Sequence, residues 1–144
     1  MNYETARTFL DKAKAVGAAK GVEVSVAIVD AAGRPVLVAR GKPEAWHGPH
    51  MASGKARLAA AFRKPTKVLM KQWEDRPLFP MSLTAVIPEG VTLNLGGYPI
   101  FLDGIFSGAI GVGGGSPKTD DDIARITLEE MGAMKPANAA EAGD

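Results

Sequence analysis

The 144-residue chain contains no cysteine. That excludes a disulfide framework, a thiolate nucleophile, an Fe–S cluster and a cysteine-ligated zinc. Histidine is nearly as scarce, and the only two, His47 and His50, stand within four positions of each other. A surplus of either charge is also missing. With 17 basic and 16 acidic side chains the net charge is +1, which supplies no field for nucleic acid or an anionic membrane. No apolar run approaches the roughly 18 residues of a membrane span. Met1-Asn2-Tyr3-Glu4 places an acid where a secretory leader has a basic segment. The expectation is a cytoplasmic protein with a small-molecule ligand as partner, and neither nucleic acid nor membrane.

Enough apolar material is present, 46% of residues, for one core. A chain of this length buries about two-thirds of its unfolded surface without metal or disulfide help. One domain is expected over residues 1–135, with Pro136 to Asp144 as a disordered Ala/Glu/Gly-rich tail. Ala6, Phe9, Leu10, Ala13 and Val16 recur at helical spacing and predict an amphipathic helix over 3–20, ended by Gly21. Val24 to Asp30 and Pro35 to Arg40 flank the short Ala31-Ala32-Gly33-Arg34 connection and read as an antiparallel hairpin. An alanine-rich helix follows over 45–62, then a second that Thr66 is placed to cap. Four breakers between 75 and 92, Pro77, Pro80, Pro88 and Gly90, predict an irregular lobe. Val91 to Leu95, Tyr98 to Leu102 and Ile105 to Val112 read as strands, the last two joined by the strong hairpin signal Asp103-Gly104. A last helix is expected over about 119–134, with Ser116 or Thr119 as its cap. Tight hairpins exclude parallel neighbours, so the fold class is α+β with a five-stranded antiparallel sheet.

The run Val29-Asp30-Ala31-Ala32-Gly33, the helix Ser53-Gly54-Lys55-Ala56-Arg57 to Phe62 with Lys64-Pro65-Thr66, Gly96-Gly97-Tyr98-Pro99-Ile100, and Gly108 to Gly114 form a recognisable order. In that order the chain resembles the GlcG/HbpS family of haem-binding or haem-degrading-like domains, also found at the C-terminus of PduO-type proteins. The resemblance implies a profilin-like three-layer α/β/α fold. It further implies homo-oligomers (dimer, tetramer or octamer) and binding of haem or a corrinoid. Its motifs are specific for fold and weak for activity.

Neutral imidazole ligates haem iron and divalent metals, which makes His50 and His47 the first candidates for an axial or metal ligand. Gly48-Pro49 between them argues for a helix entry. The alternative, with Pro49 at the first helical position and His50 in the first turn bearing no ligand, stays open. Lys55 and Arg57 are candidates to neutralise a propionate or carboxylate, against the plain reading of a solvated helix face. Trp46 and Phe79 are the aromatic residues expected to line an opening. Gly113-Gly114-Gly115-Ser116 has the look of an anion cradle, yet it lacks a P-loop lysine and is followed by Asp120, Asp121 and Asp122, so it reads as architecture. Three functions remain: a haem or small-anion binding domain; a cofactor-free lyase, isomerase or tautomerase with His50 as acid/base and Lys55 or Arg57 as anion clamp; and a non-catalytic assembly module.

Overall fold

The computed structural model describes residues 1–137. Five helices and four strands follow one another as α1 (Tyr3–Ala19), β1 (Ser25–Asp30), β2 (Pro35–Ala39), α2 (Gly48–Phe62), α3 (Thr66–Gln72), α4 (Leu78–Val86), β3 (Gly97–Leu102), β4 (Ile105–Gly113) and α5 (Pro117–Glu130). The strands form one sheet in the order β2-β1-β4-β3. All three pairings are antiparallel. Asp103 and Gly104 take φ of 51° and 79°, the left-handed pair that a two-residue hairpin turn requires.

Strand alternation sorts the core into two unequal faces. Val26, Ile28, Ile100, Ile110, Val112 and Tyr98 point to one side, where the apolar stripes of α1 and α5 (Phe9, Leu10, Ile123, Leu128) cover them. Ala27, Val29 and Ala109 point to the other and meet Ala52, Ala56, Ala59 and Ala60 of α2. The buried apolar residues of this second layer are alanines and one valine, with Phe106 at its margin, so the helix backbone sits almost on the sheet. A Cβ added to Gly111 would lie 1.9 Å from the Ala52 carbonyl oxygen.

Four expectations need correction. The sheet has four strands because residues 91–95 form no strand: Val91 and Leu93 turn to the helical side and pack with Leu58, Leu69 and Trp73. Their apolar alternation serves that small cluster. The lobe expected to be irregular contains α4, since Pro77 precedes the helix and Pro80 falls in its first turn, where backbone N–H groups have no helical partner in any case. Thr66 does not cap α3. It is the first helical residue after Pro65, and its buried Oγ1 accepts a hydrogen bond from the Gly97 N–H at 3.0 Å, tying α3 to the start of β3. The last helix begins two residues earlier than the expected span and ends at Glu130. Ser116 is its cap, accepting from the Thr119 N–H, with Pro117 at the first position. After α5 the chain covers the outer edge of β3, where the Phe101 N–H donates to the Ala133 carbonyl. Of the expected tail, Pro136 lies beside Gly104, and residues 138–144 fall outside the described residues.

Candidate functional site

Trp46, His47 and His50 come together at the start of α2. His47 occupies the position before the first helical residue, and Pro49 stands inside the first turn, so the i, i+3 spacing sets His50 close to the same edge. The indole is 69% exposed. Its ring lies edge-on to both imidazoles, 5.9 Å from His47 and 6.2 Å from His50 between centroids. Both histidines are exposed. The result is a surface patch with two available imidazoles and one flat apolar wall. Among the described residues there is no group of three or more His, Cys, Asp or Glu able to hold a metal ion.

Lys55 is not part of that patch. Five residues beyond His50 at about 100° per residue is a rotation of about 140°, which swings Lys55 from the exposed edge to the sheet side. There it is 3% exposed. Its Nζ donates to the Val112 carbonyl oxygen at 2.8 Å and to Asp120 Oδ2 at 3.3 Å. Asp120, equally buried, accepts a further hydrogen bond from the Gly115 N–H at 2.8 Å on Oδ1. Burial pushes the Lys55 ammonium down and the Asp120 carboxyl up from their ordinary values, each shift opposed by the partner's charge. The glycine loop after β4 therefore does hold an anion, the chain's own Asp120 carboxylate.

Arg57 faces a different region. Its Nη1 donates to the carbonyl oxygens of Glu89 and Gly90, bracing the turn that follows α4. Phe79 is partly buried and stacks edge-on against Trp73 at 4.9 Å and Phe62 at 6.2 Å, with the Arg76 guanidinium 5.1 Å above its ring. Phe62 ends α2, about 18 Å along the helix from His50. The six residues expected to make one site thus divide into an exposed trio, Lys55 in a buried ion pair with Asp120, and Arg57 and Phe79, each in separate contacts away from the histidines.

Sequence reasoning missed the Lys55–Asp120 pair, although one signal for it was present. Ala52, Lys55, Ala56 and Ala59 share the i, i+3, i+4, i+7 stripe of a helix whose other members pack on the sheet. A lysine on a buried stripe requires an acid partner. No spacing rule pointed to Asp120, 65 residues away.

The comparisons with known proteins agree on one lineage. The family model for the haem degrading protein HbpS-like family matches residues 1–129. A solved structure of Streptomyces reticuli HbpS, in a double-mutant form, superposes with a TM-score of 0.78 at 26% identity, covering 91% of this chain and 86% of that one. The PduOC:heme complex gives a TM-score of 0.76 at 28% identity over 92% of this chain and 96% of that one. Klebsiella pneumoniae protein ORFY, at 20% identity, shares the fold with a TM-score of 0.79 over 94% and 92%. No match was found among curated proteins. Helices on both sides of an antiparallel sheet, the Lys55-containing helix and a family match over nine-tenths of the sequence lead to one conclusion: this chain belongs to the haem degrading protein HbpS-like family.

Proposed function

We propose that this chain, acting as a single domain over residues 1–135, binds haem or a related tetrapyrrole, with His50 and His47 as the iron-binding candidates. The observation that carries the proposal is the exposed Trp46 ring set edge-on to both imidazoles. An imidazole nitrogen is a common axial ligand of haem iron and the flat macrocycle packs on apolar surface, and this patch offers both. Family membership and the haem complex of a relative at 28% identity support the ligand class. When bound, haem iron would supply the redox and ligand-exchange chemistry. This chain's part is to hold it through an imidazole and shield one face with Trp46.

A patch on the surface of one subunit leaves the other face of a flat ligand open. We therefore read the functional form as a homo-oligomer. The exposed side chains Leu78, Met81 and Val86 on α4, a helix that buries none of its residues completely, support association. Titrating haemin into the protein is expected to give a red-shifted Soret band, and His47→Ala/His50→Ala is expected to return the spectrum to that of free haemin. An unchanged band in the double variant would exclude histidine ligation. Lys55, being buried and paired, is assigned here to the fold and not to chemistry.

A further inference from the structure

The far end of α2 borders a cleft of about 560 Å³ that none of the histidines lines. One wall is the β1–β2 turn with Gly33, the second is the last turns of α2 with Ala60 and Ala61, and the third is the Ile87–Glu89 turn after α4. Three arginines line it, and the surroundings of their guanidiniums differ. Arg34 is neutralised by Asp30 at 2.9 Å. Among the described residues Arg57 has only carbonyl partners, at Glu89 and Gly90, and these use one of its nitrogens. Arg63 has no carboxylate within ion-pair distance among the described residues; its guanidinium rests on the Phe106 ring at 4.7 Å. One acid, Glu89, lines the opposite wall.

The Arg57 and Arg63 guanidiniums, which no carboxylate neutralises among the described residues, are held in place before any ligand arrives. Gly33, at a φ of 78°, lies so near Arg57 that an added Cβ would meet the arginine Cγ at 3.4 Å, and the carbonyl bonds fix the head of that side chain. Arg63 adopts a φ of 54° at the end of α2, and the stacking on Phe106 orients it. Planar, weakly hydrated donors fixed at the edge of an apolar wall suit a carboxylate attached to an apolar body. The wall of alanines and Ile87 offers contact without hydrogen bonds, and the volume falls in the range of small-ligand pockets.

We infer that this cleft is a second binding site, separate from the Trp46–His50 patch, for a small organic carboxylate with an apolar body, its carboxylate held by Arg63 and Arg57. The test uses 2-naphthoate as probe, titrated calorimetrically and by NMR, with 2-naphthamide as the neutral isostere and inorganic phosphate as the bare anion. Saturable naphthoate binding is expected in the wild type and, unchanged, in His47→Ala/His50→Ala, so the outcome does not depend on haem. Arg63→Met and the amide are each expected to weaken binding about tenfold or more, the loss of a charge-assisted hydrogen bond. Ala61→Asp, at an exposed position that adds a carboxylate to the wall, is expected to abolish it and guards against misfolding of Arg63→Met. Wild-type affinity in Arg63→Met or in Ala61→Asp, shifts mapping to the start of α2, or phosphate binding as tightly as naphthoate would each overturn the assignment.

Discussion

Replacing Gly111 with alanine is expected to cost at least about 3 kcal/mol and to leave little folded protein. The new Cβ would sit 1.9 Å from the Ala52 carbonyl oxygen and 2.8 Å from the Ala56 nitrogen, both backbone atoms of α2. No rotamer can relieve that overlap. The helix would have to rise off the sheet, and every alanine contact along it would open together. Gly113, two residues further along β4, provides the control. A Cβ there would find nothing nearer than 3.7 Å, so Gly113→Ala is expected to fold with nearly unchanged stability. Urea denaturation of the two variants side by side separates a packing requirement from a general need for glycine in the strand.

Lys55→Met carries the second large effect. The substitution leaves the Asp120 carboxylate buried without its cation, a loss of about 3–5 kcal/mol at neutral pH. The pH dependence has a definite sign. Burial already raises the Asp120 pKa, and removing Lys55 raises it further, so the folded form takes up a proton more readily than the unfolded chain. Stability from that proton is present at low pH and lost as pH rises through the folded pKa. The deficit of Lys55→Met relative to wild type should therefore shrink as pH falls toward the ordinary carboxylate range. Adding Asp120→Asn should recover most of the loss at neutral pH, because a neutral amide can still accept from the Gly115 N–H while carrying no charge. Urea midpoints for the single and double variants across that range check both statements. A deficit that stays constant with pH would mean lost packing of the lysine stem, not an unpaired charge.

Most of the architecture was legible because local signals and tertiary packing agreed. The helical spacing from Ala6 to Val16, the Asp103-Gly104 turn and the alanine run of α2 each specify a structure within a few residues of themselves. The fifth strand failed for the opposite reason. Val91 to Leu95 has a strand's pattern, and only the position of Leu58, Leu69 and Trp73 turns it toward a helical cluster. Thr66 is a comparable case, a good capping residue that is used instead to anchor Gly97. The candidate site was legible in part. Trp46, His47 and His50 do gather, as their spacing allowed, but proximity in sequence placed Lys55 and Arg57 in the same group although the helix sends all three sets to different surfaces. Nothing local in the sequence marks Arg63, since only the folded chain puts Phe106 beneath it and brings it to the same cleft as Ile87 and Glu89.

The close seating of α2 also governs how the two ends of that helix relate. Its middle is wedged against the sheet by backbone contact and bolted by Lys55 to β4 and to the first turn of α5, so it has neither slack to tilt nor room to slide. A helix so fixed acts as a strut. Whatever occupies its first turn and whatever occupies its last share a support but exchange no strain, and the two ends can be altered, loaded or lost one at a time.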